Sequence, residues 1–142
     1  MANLAEIGDH MFQLGVAFAL ALPIGWDRES RARSAGLRTF TLVAVSTCGF
    51  IIGARSSLGT SPDSQSRVLQ GLLTGMGFIG SGAIVKDGQG AHGTATAASI
   101  WSTAAMAVAV AYRQYDVAVV LSLANFAVLR WLSPANEHPV PT

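Results

Sequence analysis

Trp26-Asp27-Arg28-Glu29-Ser30-Arg31-Ala32-Arg33, followed by Ala35-Gly36-Leu37-Arg38-Thr39, is the stretch that decides the fold. It lies between two runs without a charge, Met11 to Ile24 and Phe40 to Ala54. A dense charge cluster between two uncharged stretches near membrane length reads as a helical hairpin in a bilayer. Its excess of arginine places it on the cytosolic side.

Composition agrees. The 142 residues are 51% hydrophobic and 12% charged, and the mean hydropathy is +0.44. Soluble domains carry about 25% charged residues. A soluble all-α bundle is the competing reading, but repeated uncharged runs in so small a chain fit a bilayer better. The net charge of +1 and the lack of a basic patch interleaved with aromatics give no reason to expect nucleic acid. Cys48 is the single cysteine; in an apolar run it reads as a small packing residue. Residues 1–10 hold Glu6, Asp9 and His10 but no Lys or Arg, unlike a cleaved signal peptide. The first run is expected to be retained as a helix.

The expected architecture is all-α, a polytopic bundle of about five transmembrane helices. The spans are Leu4 or Met11 to Trp26, Leu37 to Ala54, Val68 to Val85, Thr94 to Tyr112, and Val117 to Leu132. The domain is 1–132, with 133–142 a short polar tail holding three prolines. Turn-rich segments separate the spans at 59–64, 86–93 and 113–116. Arg28, Arg31, Arg33 and Arg38 in the first loop orient the chain with its N-terminus outside and its C-terminus cytoplasmic. Trp26 and Trp131 then fall at the inner interface, and Tyr112 and Tyr115 at the outer one.

Span three holds Gly71, Gly75, Gly77, Gly80 and Gly82. Gly71, Gly75 and Gly82 share one helix face, and Gly77 and Gly80 another. Such notches admit a neighbouring backbone, so span three is expected at the packing centre. Ala95, Ser99 and Thr103 in span four, Gly49 and Gly53 in span two, and Gly15 and Ala19 in span one repeat the small-residue spacing. This surplus of interface predicts a homodimer.

The charged cluster carries the candidate site. Asp27 with Arg31, and Glu29 with Arg33, are four apart and can pair on a helix. Arg38 enters the second span at its first turn, where the helix dipole disfavours a cation. Asp27 or Glu29 is expected to neutralise it. The cluster reads either as a site for a cation, a phosphate or a partner protein, or as a topology signal alone. No acidic residue lies inside an apolar run; Gln13, Gln70 and Asn125 are the strongly polar groups at depth. Candidate metal ligands are Asp27, Glu29 and Asp87, with Mg²⁺ as the ion, which wants oxygen ligands in octahedral array. No P-loop, catalytic Ser/His/Asp set or zinc spacing is present, so no enzyme and no resident cofactor are expected. His92 reads as a solvated loop residue. Ala35-Gly36-Leu37-Arg38-Thr39 and His92-Gly93-Thr94-Ala95-Thr96 each open a span after a charged loop, a weak internal echo of a parallel repeat.

Four strings, in order, resemble the membrane domain of the MgtC/SapB family. They are Ile24-Gly25-x-Asp27-Arg28-Glu29, Ala35-Gly36-Leu37-Arg38-Thr39-x-x-Leu42-Val43, Gly75-Met76-Gly77-Phe78-Ile79-Gly80-Ser81-Gly82-x-Ile84, and Gly93-x-x-Thr96-Ala97-Ala98-x-x-Trp101. The family more often has Glu at position 27, usually Ala at 81, and often Leu-Thr at 94–95. The resemblance implies a bacterial inner-membrane protein linked to growth at low magnesium, survival inside host cells and inhibition of the membrane ATP synthase. It covers the membrane domain, and the soluble domain that many members carry is expected to be absent. It implies Asp27, Arg28, Glu29, Gly36, Arg38 and Thr39 as the functional cluster. The preferred reading is a regulator of ion homeostasis acting through a membrane partner complex. The alternatives are an oligomeric channel or transporter for Mg²⁺ or another ion, and a lipid-binding scaffold.

Overall fold

A computed structural model describes residues 3–31, 35–59, 61–88 and 90–132. They form five helices and one short hairpin: α1 (Leu4–Ser30), α2 (Leu37–Leu58), α3 (Pro62–Gly82), β1 (Val85–Asp87), β2 (Gly90–His92), α4 (Thr94–Ala111) and α5 (Tyr115–Trp131). The all-α expectation holds. The tail, 133–142, lies outside the described residues.

Local chemistry sets the helix starts. Asn3 caps α1, accepting from the Ala5 N–H while its own N–H donates to Glu6 Oε2 at 3.0 Å. Ser61 caps α3 through the Ser64 N–H at 3.3 Å, and Pro62 occupies the first turn, where a missing N–H costs nothing. This cap starts α3 six residues before Val68, so part of the expected loop is helix. At its far end α1 runs past Trp26 to Ser30. Asp27, Arg28 and Glu29 therefore stand on the last helical turns rather than in a loop.

The β-hairpin is a feature the sequence reading did not anticipate. Val85 pairs with His92, Lys86 with Ala91, and Asp87 with Gly90, antiparallel. Gly90 has φ +134° and Gly93 φ +83°, conformations that cost glycine little. Gly93 is also a close approach: a Cβ there would overlap the Ala83 carbonyl oxygen.

Three helices, α1, α2 and α4, are long and apolar enough to cross a membrane. The remaining two fall short of the five expected spans by that measure. At 1.5 Å per residue, the 17 residues of α5 reach about 25 Å, against about 30 Å of bilayer hydrocarbon. Polar and glycine residues dilute α3.

The packing centre is α4, not α3. Ten residues of α4 are buried, including Ser99, Ile100, Thr103, Ala104 and Val110. It packs against all four other helices. In α3 only Gly80 is buried, where a Cβ would stand 3.5 Å from the Ala97 carbonyl oxygen of α4. Gly71, Gly75, Gly77 and Gly82 have open space where a side chain would stand. The expectation placed the wrong helix at the centre for a physical reason. Glycine permits close approach but brings no side-chain area to bury, whereas Ala, Ser and Thr permit it and also fill space. The Ser99 and Thr103 stripe of α4 does that work.

Interhelical hydrogen bonds fix the bundle at depth. Ser99 Oγ donates to Asn125 Oδ1 at 2.6 Å, and Asn125 Nδ2 donates to the Ser99 carbonyl at 3.2 Å. Ser122 Oγ donates to the Leu20 carbonyl at 2.8 Å. These tie α5 to α4 and α1. At the end away from Asp27, Arg55 of α2 donates to the carbonyl of Ala111 at the end of α4, at 2.7 Å. So α2 and α4 run in the same direction, and the two strings of the sequence echo open parallel helices.

Candidate functional site

The stripe Ala17, Ala21, Ile24 and Arg28 is fully buried. Its spacing of four, three and four is that of one helix face. Arg28 thus continues the apolar stripe of α1 and is the largest fully buried side chain of the bundle. Asp27, one residue earlier, is 5% exposed. Its Oδ1 accepts from Arg31 Nε at 3.1 Å, and Arg130 Nη1 of α5 stands 3.9 Å away. The expected pair between Asp27 and Arg31 is therefore present. Asp27 Oδ2 has no hydrogen-bond donor among the described residues.

Glu29 has a different task. Its Oε2 accepts from the Leu37 N–H at 2.7 Å. That N–H lies in the first turn of α2, whose N-cap, Gly36, has no side chain to offer. A carboxylate there satisfies an orphan donor and complements the helix dipole. Gly36 lies so close that a Cβ would stand 2.7 Å from the same Oε2. Gly25 is the matching approach on α1, where a Cβ would stand 2.8 Å from Leu37 Cα. Gly25, Glu29 and Gly36 together lock the α1–α2 corner. Glu29→Ala is expected to lower stability in detergent by about 1 kcal/mol, the value of a helix cap; thermal melting checks this, and an unchanged melt would show the corner holds without it.

Arg38 does not behave as expected. It is exposed on α2, and no ion pair joins it to Asp27 or Glu29. Glu29 is engaged with the Leu37 N–H, and a long side chain at a helix end reaches water. Thr39 is half-buried. Arg33 lies outside the described residues, so its pairing with Glu29 does too. Among the described residues no group of three His, Cys, Asp or Glu side chains could hold an ion. The side chain of Asp87 lies outside the described residues.

Sequence reasoning placed Arg130 only at the end of span five and missed its approach to Asp27. It also passed over Arg28 as the buried charge, although the stripe through Ala17, Ala21 and Ile24 was there to read. A cavity of about 230 Å³ lined by Trp26, Glu29, Ser30 and Leu37 opens beside the corner. Chemically, the site is a buried carboxylate shared between two helices, with one oxygen free to accept a donor.

The four sequence strings that carry the family resemblance fall at the end of α1, the start of α2, the end of α3 and the start of α4. The model of the MgtC family matches residues 14–138. The chain belongs to the MgtC family. Proteins named "Protein MgtC" from Salmonella choleraesuis and Salmonella typhi are each 35% identical over 135 residues, covering 92% of this chain and 57% of their own length. The protein of that name from Brucella abortus is 44% identical over 95 residues, covering 67% of this chain and 39% of its own. The match thus spans little more than half the length of the Salmonella relatives and less than half that of the Brucella one. No solved structure matches.

Proposed function

We propose that this MgtC-family protein is a non-catalytic regulator in the bacterial inner membrane, serving adaptation to low magnesium through contact with a partner membrane complex such as the ATP synthase. The observation that carries the reading is the junction at Asp27. One buried carboxylate is shared by Arg31 of its own helix and Arg130 of α5. A contact that draws Arg130 away, or supplies a donor to Oδ2, alters the balance between α1 and α5. Such a junction suits a protein whose helix ends respond to a partner. A transport path for Mg²⁺ needs oxygen ligands through the bilayer, and no apolar run offers an acidic one.

In this reading the Asp27 end is cytoplasmic, the N-terminus is outside and the C-terminus inside. Reporter fusions at Asp87 should read cytosolic and at Pro62 periplasmic; a periplasmic Asp87 would overturn the orientation. The small-residue stripes of α1 and α2, unfilled within one chain at Gly15 and Gly53, favour a homodimer. Mass measurement in native detergent conditions should give two copies.

Purified protein in liposomes, assayed for Mg²⁺ and H⁺ flux, tests the reading most directly. A flat trace is expected. Flux that depends on the protein would replace this reading with that of an oligomeric channel or transporter.

A further inference from the structure

At the end of the bundle opposite Asp27, a second polar site has been built. A cavity of about 250 Å³ is lined by Asp9, His10 and Gln13 of α1, Arg55 and Ser56 of α2, and Arg113 after α4. It shares Asp9, His10, Ser56 and Arg113 with a wider groove of about 570 Å³ that passes Glu6. Arg55 is held in place twice: Nη1 donates to the Ala111 carbonyl at 2.7 Å, and its guanidinium lies 5.1 Å from the Tyr112 ring centroid. Tyr112 is itself anchored, its hydroxyl donating to Gln65 Oε1 at 2.6 Å. Arg113 donates to Asp9 Oδ2, which also accepts from Gln13 Nε2 at 2.8 Å. Gln13 is 3% exposed, and its Oε1 has no donor.

We propose that this cavity binds a phosphate group that carries its own N–H or O–H donor, either a hydrogenphosphate ion or the phosphoethanolamine headgroup of a lipid. Two guanidiniums face one carboxylate in the cavity, so an anion is favoured there. The planar fork of arginine suits phosphate oxygens. Arg55 spends one nitrogen on the Ala111 carbonyl and Arg113 one on Asp9, which leaves N–H groups on each. The acceptors set the second requirement. Gln13 is locked by its Nε2 bond to Asp9, so it presents an oxygen and not an amide N–H. A buried oxygen without a donor penalises ligands that bring none. Hydrogenphosphate brings a P–OH, and phosphoethanolamine an ammonium; sulfate and phosphocholine bring neither. The site lies where helices of membrane length end, at headgroup depth. The inference stands apart from the proposed regulatory role, since it uses none of the residues around Asp27.

Two arms test it on the intact protein. In nanodiscs with equal phosphatidylethanolamine and phosphatidylcholine, native mass spectrometry should find the ethanolamine lipid retained about tenfold over the choline lipid, the value of one charge-assisted hydrogen bond. In detergent, calorimetric titration should show binding of potassium phosphate and not of potassium sulfate at equal ionic strength. A preference in the first arm identifies the lipid source, and one in the second the free ion. Gln13→Met, which keeps the shape and removes the acceptor, should erase the preference. Arg113→Gln should weaken retention of both members of each pair. The absence of a preference in both arms for the unmodified protein overturns the proposal, whatever the variants do. So does a preference that survives Gln13→Met.

Discussion

Arg28→Ala is expected to cost about 3 kcal/mol in detergent, the range for truncating a large, fully buried side chain, while Arg38→Ala melts like the parent protein. The difference follows from position. Arg28 is fully buried at the end of the α1 core stripe, and Arg38 is exposed. Truncation at 28 leaves a void where the largest fully buried side chain stood. Arg28→Lys is expected to recover only part of the loss, because an ammonium lacks the flat fork and is harder to strip of water. Thermal melting followed by size exclusion separates these outcomes. Equal melts for Arg28→Ala and Arg38→Ala would show that the buried arginine carries no structural weight.

The second large effect is expected at Gly93. A methyl group there would overlap the Ala83 carbonyl oxygen, and φ is +83°. Left-handed backbone costs an L-residue about 1–2 kcal/mol, and overpacking about 1–3 more. Gly93→Ala should therefore lose roughly 2–5 kcal/mol, the sum of these terms. Gly75→Ala should show the opposite sign. Nothing stands within 4 Å of its would-be Cβ, and alanine is the better helix former by up to about 1 kcal/mol. Melting the two variants side by side checks the assignment of α3 to the periphery. A large loss at Gly75 would return α3 to the centre.

The helices were legible in the sequence because uncharged runs and charged joints alternate so sharply. Spans two, four and five start or end within two residues of α2, α4 and α5 at one or both ends. What hydropathy misread was the joints. Charge was taken to mean loop, yet Asp27, Arg28 and Glu29 have sufficient helix propensity and local pairing to extend α1. The same error shortened α3, where Ser61 and Pro62 form a helix start inside a turn-like composition. The hairpin escaped because three-residue strands leave almost no period to read.

The site was legible in its residues and not in its pairings. Glu29 and Gly36 do converge on the α1–α2 corner, and Asp27 does meet Arg31. The partner of Asp27 from another element is Arg130, some hundred residues away, and no local rule reaches that far. Arg38 was assigned a carboxylate on grounds of dipole and depth. Those grounds fail once a side chain can reach water. The polar site around Gln13 was hidden because its members come from α1, α2 and the turn after α4.

The buried end of α1, where Asp27 meets Arg31 and Arg130 and Arg28 closes the core stripe, is the functional centre, and exposed Arg38 is not. The most direct test is a growth assay at low magnesium in a strain that depends on this protein, with variants matched for folded protein in the membrane. Arg38→Ala is expected to support growth as the parent does, and Arg28→Lys is expected to fail. Normal growth with Arg28→Lys, or failure with Arg38→Ala, would contradict the account.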